Sequence, residues 1–236
     1  MNSTTLTAPI AAEVATPPAA VKKPRNPRMG LRTSATFATI FTILGHTVFG
    51  FEQSVAQVFV ALLAGHSSAL LFEWVDSRAN NRTPGYAGGG WLKTVDFLLA
   101  PHMTSITMSF LLYVNQRLWV IALACVLAIG SKYVLRVKQN GRLQHFMNPS
   151  NFAIAIILVA YQWTGMLPWG YTVDLSGSWD WIVPTVIMCL GIRLNLMFTG
   201  RIFIAISWLI TFIVLGVARA YVLDTPVAAQ LVVLTG

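Results

Sequence analysis

The sequence has little charge. Of 236 residues, 10% are Asp, Glu, Lys or Arg, against roughly 25% in an ordinary soluble domain. With 56% apolar residues and a mean hydropathy of +0.65, a single water-soluble globule would expose too much hydrocarbon. Cysteine is scarce as well. Cys125 and Cys189 both lie in apolar runs with no CxxC spacing, so they are expected to be packing residues rather than a disulfide or metal pair. No Gly-x-Ser-x-Gly, no Ser/His/Asp set and no Cys beside a His is present, which leaves nucleophilic catalysis without a motif. The glycine-rich stretch Thr83-Pro84-Gly85-Tyr86-Ala87-Gly88-Gly89-Gly90 lacks the Lys-Ser/Thr ending of a phosphate loop and follows no strand, so it is expected to be turn material. No short apolar leader precedes the first long run, and a cleaved secretory signal is not expected.

What the chain does have is long apolar runs. Seven approach the roughly 20 residues a spanning helix needs: Ser34–Phe51, Val55–Val75, Val95–Val114, Leu118–Leu135, Phe152–Leu167, Trp181–Phe198 and Ile202–Leu223. The expected fold is therefore an all-α integral membrane protein of about seven transmembrane helices. Residues 1–32 form a disordered basic tail, rich in Ala, Thr and Pro, and residues 33–236 a polytopic membrane domain. The fifth run is the shortest, and Asn148-Pro149 is expected to open it as a broken or re-entrant entrance. Pro226–Gly236 is apolar, uncharged and too short to span.

Basic residues orient the chain. With the N-terminus cytoplasmic and the spans alternating, fourteen of the sixteen Lys and Arg fall inside: Lys22, Lys23, Arg25, Arg28, Arg32, Arg78, Arg82, Lys93, Lys132, Arg136, Lys138, Arg142, Arg193 and Arg201. Only Arg117 and Arg219 fall outside, with Glu52, Asp174, Asp180 and Asp224. That asymmetry is the positive-inside pattern. It assigns the +8 formal charge to topology and anionic lipid headgroups rather than to nucleic acid. The outer loop Trp169–Asp180, with Trp163 and Trp181 flanking it, has the composition of an interfacial aromatic belt, with a ligand cage as the alternative.

Ionisable groups within a bilayer are costly and need a reason. His46, His66 and His102 fall on three successive spans. They are either helix-packing histidines or weak candidates for a metal or haem site. Glu73 and Asp76, Asp96, and Lys132 with Arg136 fall at one depth, and are either an ion-pair staple or the mouth of a polar path. Glu73, Asp96 and His102 are the candidates for that path.

One stretch has a family likeness. Ala128-Ile129-Gly130-Ser131-Lys132-Tyr133-Val134-Leu135-Arg136, followed by His145-Phe146-Met147-Asn148-Pro149-Ser150-Asn151-Phe152, resembles the D subunit of Rnf-type electron-transport complexes and the B subunit of the sodium-pumping NADH:quinone reductase. There a helix ends in Lys, a Gly-containing loop follows, and Phe-Asn-Pro opens the next helix. The wording is closer still to a branch identified as enediyne-biosynthesis membrane proteins. The likeness covers about residues 93–165. It implies a redox-associated role in a bacterial inner membrane beside other membrane subunits. Cofactor-binding residues are then expected among Lys132, Arg136, Asn148, Pro149 and Asn151. From the residues alone, Pro149 suits the first position of a helix and Asn148 its cap, a start that suits an anionic headgroup. In the electron-transport subunits a flavin is esterified to a Thr after Ser-Gly-Ala. Here Ser176-Gly177-Ser178 is followed by Trp179, so covalent flavin is not expected, leaving a non-covalent flavin or a quinone. A small-molecule exporter and a non-catalytic assembly subunit are the alternatives.

Overall fold

A computed structural model of the chain describes residues 27–115, 117–139, 141–166, 179–194 and 202–227. These residues are mostly helical. The helices are α1 (Pro27–Leu44), α2 (Val55–Ala79), α3 (Gly90–Leu111), α4 (Leu118–Val134), α5 (Pro149–Ala160), α6 (Trp179–Leu194) and α7 (Ile202–Val222). Four short strands accompany them: β1 (Leu112–Tyr113), β2 (Arg136–Gln139), β3 (Arg142–His145) and β4 (Gly165–Met166). β2 and β3 make an antiparallel hairpin, and β1 pairs antiparallel with β4.

Among the described residues, α2 is the one helix both long and apolar enough to cross a membrane. It begins at the expected residue and runs one turn further, because Asp76 is satisfied by Arg82 and Arg136 and Arg78 lies over the Trp74 ring. Helix α5 departs most from expectation. It has 12 residues, about 18 Å at a 1.5 Å rise, short of the roughly 30 Å of hydrocarbon. Its helix stops at Tyr161, where Thr164 donates its backbone N–H and its hydroxyl to Tyr161 O (2.8 and 2.6 Å). The chain then turns to pair Gly165 and Met166 with Tyr113 and Leu112. Helix α1 starts at Pro27, earlier than the apolar pattern indicated, so Arg28 and Arg32 ride on a helix rather than in a tail. A proline at the first helical position fits that start. The tail before residue 27, the aromatic loop Trp169–Gly177, Ser178 and the segment after Val227 lie outside the described residues.

The core sits where α2, α3, α4 and α5 meet. Ala61, Met108, Leu112, Val120, Ile121, Ala124, Cys125, Ala128, Ala153, Ile154 and Ile157 are buried together. Small residues let these helices approach closely. Gly65 is the tightest case: a Cβ there would sit 1.9 Å from Ser105 Oγ. Hydroxyls inside the bundle donate back to the preceding turn, Thr39 to Ala35 O, Ser68 to Ala64 O and Ser105 to Pro101 O, which removes the cost of burying them. After α1 the backbone widens into a π-helical turn, Gly45–Phe49. The Phe51 ring lies so close to Gly45 that a Cβ would meet it at 2.1 Å. Phe51 packs edge-on against Phe41 and Phe110, with centroids 5.4 and 5.8 Å away.

Candidate functional site

Two groups of polar side chains stand out inside the bundle. The first lies where α2 ends, α4 ends and the α2–α3 loop folds back. Glu73, with its side chain 8% exposed, accepts three hydrogen bonds: from Arg82 Nη1 at 2.6 Å, from the Gly85 backbone N–H at 2.6 Å and from the Tyr133 hydroxyl at 3.3 Å. Asp76 accepts from Arg82 Nη2 and from Arg136 Nη1 at 3.0 Å. Arg136 also donates Nε to Lys132 O at 2.7 Å, and its guanidinium lies 4.8 Å from the centre of the Tyr133 ring. The carboxylates of Glu73, first, and Asp76 hold the Arg82 guanidinium above its ordinary pKa, so it stays charged throughout. The Gly-rich loop thus acts as a strap: Arg82 and Gly85 both tie it to Glu73.

Lys132 does not join these carboxylates. Its Nζ donates to the Thr104 hydroxyl at 3.2 Å, and among the described residues no carboxylate lies in salt-bridge range. Together with Asp76, Arg82, Arg136, Leu143, Gln144 and His145 it lines an open cleft of about 610 Å³. Arg82 and Arg136 are paired with Glu73 and Asp76, so the surplus facing this cleft is the single positive charge of Lys132. Such a surplus suits an anion.

The expected cofactor residues are divided. Lys132 and Arg136 line this cleft, whereas Asn148 and Asn151 line a separate apolar groove with Phe146, Met147, Phe152, Ala155, Ile156, Val159 and Ala160. Pro149 lines neither. Asn148 does cap α5: its side-chain oxygen accepts from the N–H groups of Ser150 and Asn151 at 3.0 and 3.3 Å. A side-chain cap that occupies these N–H groups removes them from any ligand. The start of α5 is a capped helix entered from the β2–β3 hairpin.

The second group lies between α1, α2 and α3. The rings of His66 and His102 are 5.5 Å apart between centroids. His102 Nε2 is 2.8 Å from Thr39 Oγ1, and His66 Nδ1 is 2.7 Å from Leu62 O. His46 stands apart, in the π-helical turn after α1, between Thr42 O and Gln53 O. No cluster of three or more His, Cys, Asp or Glu suited to a metal occurs among the described residues.

Asp96 does not reach His102. Both its oxygens are taken by Arg32, Nε to Oδ1 and Nη2 to Oδ2, each at 2.7 Å. Asp96 is paired with Arg32, Glu73 with Arg82, and Asp76 with Arg82 and Arg136. Sequence reasoning overlooked Arg82, Tyr133 and Arg32. The separation of nine residues between Glu73 and Arg82 across a turn-rich loop was the available signal for the first. Nothing local pointed to Tyr133 or Arg32, which come from other helices.

Comparison with protein-family models, curated proteins and solved structures finds no match for this chain.

Proposed function

We propose that the chain is a multi-pass helical protein of a bacterial inner membrane, N-terminus on the cytoplasmic side, serving an electron-transport assembly of the Rnf type. In this reading the Lys132 cleft holds the anionic group of a non-covalently bound redox cofactor. The observation that carries the cofactor assignment is the Lys132 ammonium, bonded to a hydroxyl instead of a carboxylate and set beside Arg136 in a cleft where its charge is the surplus. Such a charge is costly to bury without a counter-anion. Flavin phosphate supplies one; a quinone head does not.

The membrane reading is supported by what α2 exposes. Only 33% of its apolar window is buried inside the protein, whereas the core helix of a soluble domain is mostly covered. Phe59, Leu63 and Leu71 face outward on α2, as do Phe203, Leu209 and Tyr221 on α7. These faces suit lipid or neighbouring membrane subunits. The seven-span topology belongs to this proposal, with α5 a partial crossing. An exporter needs Glu73 and Asp96 as carboxylates that exchange protons or cargo. Both are held by guanidinium groups, which favours the staple over the path.

The test uses the full-length protein purified in detergent. Visible absorbance and mass spectrometry of the extracted ligand are expected to show a flavin, released without proteolysis. Lys132→Gln is expected to reduce its occupancy while the protein stays folded. A native preparation carrying no flavin, or a Lys132→Gln variant that retains it fully, refutes the cofactor assignment. A reporter fused after Asp174 that proves cytoplasmic refutes the topology.

A further inference from the structure

We propose that His66 and His102 form a two-histidine site for a first-row transition ion, copper by preference, in the groove between α1, α2 and α3. The proposal is independent of the Lys132 cleft and its cofactor.

The hydrogen bonds fix which nitrogens are available. The Thr39 hydroxyl has one proton, and it donates to Ala35 O at 2.8 Å. Thr39 Oγ1 must therefore accept from His102 Nε2–H. A carbonyl has no proton to give, so His66 Nδ1 is likewise the donor, to Leu62 O. A neutral imidazole with one nitrogen donating keeps a lone pair on the other. His66 Nε2 and His102 Nδ1 are the two lone pairs left, and neither has a hydrogen-bond partner among the described residues. Metal-bound histidines are held in this way, the second ring N–H donated to a carbonyl or other oxygen that fixes tautomer and orientation.

Spacing agrees with one shared ion. A metal–nitrogen bond of about 2.0–2.1 Å places the ion about 3.1–3.2 Å from each ring centre, so two imidazoles at tetrahedral to trigonal angles have centroids about 5.1–5.5 Å apart. The observed separation is 5.5 Å. A haem between the rings needs its two nitrogens on opposite sides of the iron and centroids about 6.2 Å apart, which disfavours haem.

The surroundings narrow the ion. The groove, about 420 Å³, is lined by Ala35, Thr36, Ile40, Val95, Leu98 and Leu99 besides Thr39 and the two histidines. Among the described residues no carboxylate or thiolate lines it. Hard, oxygen-seeking cations are thus disfavoured. The tetrahedral-to-trigonal angle is not the tetragonal one Cu(II) prefers, so the preference for copper over zinc rests on the general affinity order of nitrogen sites alone. Water or a small exogenous ligand completes the coordination.

The experiment titrates the purified full-length protein, in detergent, with Cu(II) and in parallel with Zn(II). Bound metal is measured after desalting, and the copper-loaded protein by electron paramagnetic resonance. The expected result is one copper per chain, held more tightly than zinc, with coupling to two imidazole nitrogens. His66→Asn and His102→Asn each remove that copper; His46→Asn and His145→Asn do not. Thr39→Val, which keeps both imidazoles but frees His102 Nε2, weakens binding by about 10–100-fold. Copper retained in His66→Asn or His102→Asn overturns the site. A native spectrum with fewer than two imidazole nitrogens overturns it too, and decides the matter even where those variants fail to fold.

Discussion

The two ends of α2 are held by different physics. At the Glu73 end, Arg82 and Arg136 reach two carboxylates, and Arg32 holds Asp96 nearby. At the Gln57 end the contacts are aromatic and amide. Gln57 Nε2 donates to Ser109 O and Leu112 O at 2.8 and 3.1 Å. Phe41, Phe51 and Phe110 pack together, and Arg117 lies 4.1 Å over the Trp163 ring. The four ion pairs described above all belong to the Glu73 end. A bundle organised this way gathers its ion pairs at one end and uses apolar, amide and ring contacts at the other. The lesson is that the same four helices are clasped by charge on one side and by shape on the other.

That contrast is open to attack in order of expected effect. Glu73→Ala strips the acceptor from Arg82, Gly85 and Tyr133 at once. Breaking a buried ion pair from one side is expected to cost about 3 kcal/mol, measured by denaturant unfolding in mixed micelles. Loss under about 1 kcal/mol would mean that the strap is decorative, since exposed pairs are worth that little. Gln57→Ala leaves two backbone carbonyls without their donor at the other end. The expected loss is about 1–2 kcal/mol, by the same assay and without a change in the Glu73 cluster. Asn148→Ala removes the α5 cap, for about 1 kcal/mol. It should leave the Lys132 cleft intact, because Asn148 lines a different groove.

Much of the helical pattern was legible from residue order. The apolar runs fix α2, α4 and α7 to within a turn, because hydrophobic length is a local property of the sequence. Helix α5 was overextended for a non-local reason: the apolar residues continue past Ala160, but Gly165 and Met166 are claimed by Leu112 and Tyr113, more than fifty positions earlier. The β2–β3 hairpin was hidden for a related reason, its basic strands lacking any apolar alternation. In the candidate sites, residue type and depth singled out Glu73, Lys132, Arg136, His66 and His102, which the fold divides between two polar groups. Pairing was not legible, since depth along a helix says nothing of rotation about its axis. Rotation decides that Arg32 meets Asp96, that Tyr133 meets Glu73, and that His46 is left out of the histidine pair.

Gly65 also sets how closely α2 and α3 approach. It precedes His66 in α2 and abuts Ser105, one turn beyond His102 in α3, with no room for a methyl group between them. The close approach of α2 to α3 beside the two imidazoles thus depends on a residue that has no side chain. Enlarging it to alanine would wedge α2 from α3 and spread the rings without altering either donor, so geometry at this site has its own genetic handle, separate from its chemistry.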